Sequence, residues 1–175
     1  TIEDSIDGIF GTVHGQARLS KYAGGLGVDW TPVRATGSHI QGTNGKSSGL
    51  IPWLKIFNDT LVAVNQGGKR KGAGCAYLEV WHLDVEEFLD LRKSTGDDRR
   101  RCHDMNTALW VCDEFMISAS KNKDWYLFDP RECPELHETY GKEFSKYYKK
   151  YKEMADREEI KNFRVIKAKD LWKKI

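Results

Sequence analysis

Arginines set among glycines, together with the polar start of an amphipathic helix, are the residues of this chain best suited to chemistry, and the chemistry they suit is holding a phosphorylated sugar. Arg70 lies in Gln66-Gly67-Gly68-Lys69-Arg70-Lys71-Gly72, where flexible backbone N–H groups and a guanidinium can together grip a phosphate or a base edge. Arg34 opens a second segment, 34–49, with four glycines and many small polar side chains. That is loop composition over an unusual length, and long loops in compact domains are usually functional or disordered. Asp4 and Ser5, ahead of the first helical pattern, add acceptors for sugar hydroxyls. Gly42-Thr43-Asn44-Gly45-Lys46-Ser47 invites a Walker-type phosphate loop, but that motif needs a glycine five residues before Gly45 and Ile40 stands there.

Other chemically capable residues have plainer readings. His82, between Trp81 and Leu83 before a helix cap, lacks a neighbouring nucleophile and reads as a structural histidine at a strand end. His103 and Asp104 have no further local ligands for a metal. Cys75, Cys102, Cys112 and Cys133 form no CxxC pair, which argues against zinc or a disulfide framework and implies a reducing, cytoplasmic setting. Cys75 and Cys112 fall in expected strands and read as buried, inert thiols.

The elements that must position these groups follow from periodicity. Ile6, Ile9, Phe10, Val13 and Ala17 recur at helical spacing, with Asp4 or Ser5 as cap, in a helix ending near Tyr22. Gly24 and Gly25 form a tight turn into a short buried strand at Leu26 to Trp30, where backbone can approach a ligand closely. Leu50, Leu54, Phe57, Leu61 and Val64 stripe a second helix that tolerates Pro52 in its first turn and stops at Gly67-Gly68. Cys75 to Val80 is a strand. Asp84 to Lys93 is a third helix capped by Asp84. Ala108 to Cys112, Trp125 to Phe128 and Phe163 to Ile166 are extended, and Glu114 to Ser120, Phe144 to Met154 and Ala168 onward are helical. Strands alternating with helices predict a parallel α/β arrangement.

With 175 residues the chain suffices for one domain with a real core. Lys+Arg of 28 against Asp+Glu of 26 gives a net charge of +2, which offers no footprint for nucleic acid or an anionic membrane. No apolar run approaches a membrane span. The chain opens at Thr1 without Met and closes at Ile175 inside a helical pattern, so both ends are expected to be internal to a longer protein.

Several of these segments carry a resemblance. Ser20 to Val28, Arg34-Ala35-Thr36-Gly37-Ser38, Asn65 to Ala73 and Trp81-His82-Leu83-Asp84 resemble, in this order, the large subunit of class I ribonucleotide reductases. The likeness continues through Thr95 to Arg101, Asp113 to Met116, Trp125 to Phe128 and Glu132-Cys133-Pro134, so it covers essentially the whole chain.

The resemblance implies an α/β fold that is part of the family's ten-stranded barrel, namely the first half-barrel with the helices of an allosteric site at a dimer interface. Asp4, Ser5, Ile6, Arg34, Ile40 and Ser48 would bind a deoxynucleoside triphosphate or ATP effector. Segments of about 34–49 and 65–73 would be the specificity loops, the second using Asn65, Gln66, Gly67, Gly68 and Lys69 to relay effector identity. Gly24, Gly25 and Arg70 would meet the ribonucleotide substrate. The family also implies a homodimer of large subunits, a separate metal-containing small subunit supplying a radical, and an external thiol reductant of thioredoxin or glutaredoxin type. The thiyl-forming cysteine sits in an Asn-x-Cys-x-Glu motif in this family, alongside a reducing pair, and none of the four cysteines here has such a context. The chain alone is therefore expected not to reduce nucleotides. The other reading is a stand-alone nucleotide-binding or assembly module, or one polypeptide of a split reductase.

Overall fold

Ser5 starts the first helix. Its backbone is extended and its hydroxyl accepts the Gly8 N–H at 2.9 Å, which satisfies one of the donors a helix start leaves open. In this computed structural model, which describes residues 1–22, 24–41, 44–64 and 72–175, the helix α1 (Ile6–Lys21) buries Ile9, Val13 and Ser20. Strand β1 (Leu26–Asp29) follows, then a ribbon of β2 (Thr36–Ile40) and β3 (Gly45–Ser48), and helix α2 (Ile51–Ala63). The chain continues through β4 (Gly74–Glu79), α3 (Val85–Leu89), a 3-10 turn at Asp98–Arg100, β5 (Asn106–Trp110) and α4 (Asp113–Ser120). It closes with β6 (Asp124–Phe128), α5 (Glu135–Glu138), α6 (Gly141–Asp156), β7 (Phe163–Lys167) and α7 (Ala168–Lys174).

The expected parallel sheet is present in the order β1-β4-β5, with Leu26 opposite Gly74 and Cys75 opposite Asn106. Among the described residues it is open, and β6 meets its end through the His82 to Phe128 bridge and the Trp125 Nε1 bond to Val80 O before pairing antiparallel with β7. The core has two foci. Trp30, Phe57 and Leu61 are buried where α1 and α2 cover the sheet, and around β6 Trp125 stacks on Tyr148 and meets Phe115 edge-on.

Three expectations change. Within 34–49, where loop was expected, Thr36–Ile40 and Gly45–Ser48 are paired antiparallel strands. They pair through backbone groups with a bulge between Thr36 and His39, and their exposed polar residues need no apolar alternation. Asp84 does not cap α3, which is shorter than expected, because its carboxylate is taken by other backbone groups. The β5 strand starts and ends two residues earlier than the hydrophobic run suggests, so Cys112 precedes α4 and is only half-buried, as is Cys75.

Candidate functional site

A cleft of about 610 Å³ opens between the start of α1, the β2–β3 ribbon and the first turn of α2. Asp4, Ser5, Ile6, Arg34, Ile40 and Ser48 all line it. Ile6, Ile9, Ile40 and Trp53 give it an apolar side, with Phe10 set edge-on to Trp53 at 6.0 Å between ring centres.

The floor of the cleft is held by carboxylates from three distant parts of the chain, each accepting one of three successive N–H groups. Asp4 accepts from Arg34 N at 3.2 Å, Asp129 from Ala35 N at 3.3 Å, and Asp84 from Thr36 N at 3.1 Å. Asp84 also takes Leu50 N at 2.9 Å, so one buried side chain ties the base of the ribbon to the start of α2. His82 is fully buried, with Nδ1 accepting the Asp84 N–H at 3.1 Å; Nε2 must then carry the proton that it donates to Val33 O at 2.9 Å. The structural reading of His82 fits this geometry. Gly49, with φ of +78°, has no alternative there: a Cβ would sit 2.1 Å from Thr36 Oγ1 and 2.5 Å from Asp84 Oδ2.

Three cations face a single carboxylate in the cleft. Arg34 Nε donates to both Asp4 oxygens, at 3.1 and 2.9 Å, and Nη2 reaches Asp4 O at 3.4 Å. Arg131 Nη1 lies 3.8 Å from Asp4 Oδ2, and Lys46 projects from β3 opposite His39. Sequence reasoning passed over Arg131, Lys46 and Trp53. Lys46 drew notice only as part of a failed phosphate-loop pattern, Trp53 looked like one more helix residue, and Arg131 has no local signal because it arrives from the turn after β6.

Gly24 and Gly25 do not line this cleft. They precede β1 at the far end of α1, exposed, with Gly24 N donating to Leu19 O at 3.4 Å. Helices α1 and α2 run side by side in the same direction, since their starts share the cleft and Ser20 Oγ donates to Val64 O at 3.4 Å at their ends. The second expected loop, with Asn65, Gln66, Gly67, Gly68, Lys69 and Arg70, lies outside the described residues. Its exit is described: a Cβ on Gly72 would meet Ser20 Oγ at 2.4 Å and Leu61 O at 2.9 Å, so the chain returns hard against both helix ends.

Three of the thiols offer little chemistry at neutral pH. Burial pushes Cys102 up to about 11 and Cys112 up to about 12, and raises Cys133 further. Among the described residues no cluster of His, Cys, Asp and Glu could hold a metal, and no helix is long and apolar enough to cross a membrane.

Comparison with known proteins agrees with the motifs. The family model described as ribonucleotide reductase, barrel domain, matches residues 1–175. The ribonucleoside-diphosphate reductase subunit alpha of Chlamydia muridarum is 54% identical over 175 residues, covering 100% of this chain and 17% of the relative. That of Helicobacter pylori (strain J99) is 54% identical over 172 residues, covering 98% of this chain and 21% of the relative. The large subunit of Dictyostelium discoideum is 51% identical over 171 residues, covering 97% and 19% respectively. The chain thus spans about a fifth of the length of these curated relatives.

Proposed function

The chain belongs to the ribonucleotide reductase barrel-domain family, and on that premise we propose that it is the effector-sensing part of a class I ribonucleoside-diphosphate reductase large subunit. The parent protein converts ribonucleoside diphosphates to deoxyribonucleotides, with a radical supplied by a small subunit and electrons by an external thiol. The contribution of this chain is binding and relay. Its cysteines lack the family's motif, and burial keeps three of them as thiols.

One observation carries the reading. The six residues assigned to the effector by resemblance come from three separate segments and meet around one cleft, whereas Gly24 and Gly25, assigned to the substrate, lie at the opposite end of α1. A deoxynucleoside triphosphate or ATP fits such a cleft, with its base against Ile6, Ile40 and Trp53 and its phosphates toward the cations. With 16 and 13 residues, α1 and α2 separate the two ends by about 20 Å. An effector changes substrate preference only through a segment with alternative arrangements. The segment 65–71, entered from α2 and left at Gly72, is placed in the chain to be that segment.

Calorimetric titration of the intact protein with dTTP, dGTP and ATP tests this. Each binds the same site and competes with the others, and Arg34→Ala, which removes a guanidinium and frees Asp4, weakens binding by about 1.5–3 kcal/mol. Absence of binding by all three nucleotides would refute the reading.

A further inference from the structure

The parallel sheet has a second face, turned away from α1 and α2. Alternation along β4 buries Ala76 and Leu78 completely under the helices and directs Tyr77 and Glu79 the other way. The register sets Asp29 beside Tyr77 and Trp110 beside Glu79. Here the strand ends and α5 enclose a cavity of about 410 Å³ that shares no lining residue with the effector cleft. Trp110 and Tyr140 on its walls are 66% and 86% exposed. Large rings gathered at one cavity and left open to solvent mark a surface that meets something else.

Charge narrows what that is. Asp29, Glu79 and Glu138 line the cavity, and no lysine or arginine does. His137 is the one lining group able to carry positive charge, and its two ring nitrogens are already taken, by Glu79 Oε1 at 2.7 Å and Asp29 Oδ2 at 3.3 Å. Glu138 makes no hydrogen bond or ion pair among the described residues. An anion entering here would meet three carboxylates. A purely apolar cover would strip water from the unpaired Glu138 without replacing it. A guanidinium satisfies both demands, because it stacks flat on an aromatic ring while its fork donates two parallel N–H bonds to a carboxylate.

We propose that this cavity is the socket for an arginine side chain, carried by a segment of the longer protein outside residues 1–175, whose guanidinium lies against Trp110 and Tyr140 and donates to Glu138. The chain spans about a fifth of the length of its curated relatives, so the longer protein has ample chain to supply it. The inference rests on membership of the family and is independent of the nucleotide reading of the effector cleft.

Hydroxyl-radical footprinting of the intact longer protein, read residue by residue by mass spectrometry, tests this. In the wild type, Trp110 and Tyr140 are labelled about ten-fold or more slowly in the folded than in the urea-unfolded protein, because the seated side chain excludes water. Glu138→Lys sets like charges together and speeds the labelling of both by about three-fold or more, and Glu138→Gln does so by a smaller factor. The buried Trp30 stays protected in both variants, which separates loss of the contact from loss of the fold. Phenylglyoxal, which modifies guanidinium groups, then finds one arginine outside residues 1–175 that reacts in Glu138→Lys and not in the wild type. Free labelling of Trp110 and Tyr140 in the wild type means that nothing occupies the socket, and the proposal fails. It fails equally if the two rings are protected but neither substitution at Glu138 changes their labelling or uncovers an arginine, since the cover is then not held by charge.

Discussion

Asp84 shows how much one buried carboxylate can decide. It is 4% exposed and accepts the N–H groups of Thr36 and of the fully buried Leu50. Truncating it strands the buried Leu50 donor, at a cost of about 1–3 kcal/mol, and removes the bond from the exposed Thr36, at a cost of about 1–2 kcal/mol. Asp84→Ala should therefore lower unfolding free energy by about 2–5 kcal/mol in urea titrations, and it should weaken nucleotide binding in the same variant because the ribbon loses its anchor. An exposed control such as Asp170→Ala, on the last helix, should change neither. Asp84 sits where a helix cap belongs and reads as one from its neighbours, but its side chain turns to more distant donors.

At the scale of elements, α5 is fastened to the sheet by a histidine. His137 Nδ1 lies 2.7 Å from Glu79 Oε1 at the end of β4, and Nε2 lies 3.3 Å from Asp29 Oδ2 at the end of β1. The hydrogen bond to Glu79, helped by the negative charge of Asp29, Glu79 and Glu138, raises the His137 pKa above its ordinary 6.5 against the opposing effect of burial. A group with a raised folded pKa stabilises fully below the unfolded value, and the benefit is lost as pH rises through the folded one. The stability difference between wild type and His137→Gln should thus be fully present below the ordinary histidine value of 6.5 and shrink as pH rises above it, which urea melts at a series of pH values will measure. The clasp also explains why so short a helix holds its place: α5 has four residues and no side-chain cap, too little to stand on its own backbone bonds.

For the molecule as a whole, the apolar residues left outside are informative. Ile6 and Phe10 lie one turn apart on α1 and remain 68% and 48% exposed beside Trp53. In the parent protein we expect this face of α1 and α2 to pack against a second copy, which would set two effector clefts across one interface. Phe10→Glu places a charge in that contact, and charges are poorly tolerated at an interface centre. Sedimentation equilibrium should show the dimer of the intact protein shifted toward monomer. A dimer as tight as wild type in this variant would locate the contact elsewhere. The sheet edges at β1 and β5 are likewise unpaired among the described residues, consistent with a barrel of which this chain forms one part.

Much of the architecture could be read from the chain alone because its signals are local. The 3.6-residue stripes of α1 and α2, the cap at Ser5 and the apolar run of β4 each depend on residues within a few positions of one another, and so do the motifs that carry the family resemblance. Only the tertiary structure decided the rest. The β2–β3 ribbon pairs through backbone groups and leaves no apolar alternation to detect. The hydrogen bond that aligns Ala35 with Asp129 joins residues 94 positions apart, and Arg131 lines the cleft from the turn after β6, where that carboxylate accepts its N–H. Contacts at such separations are set by the packing of whole elements, and no window of sequence records them.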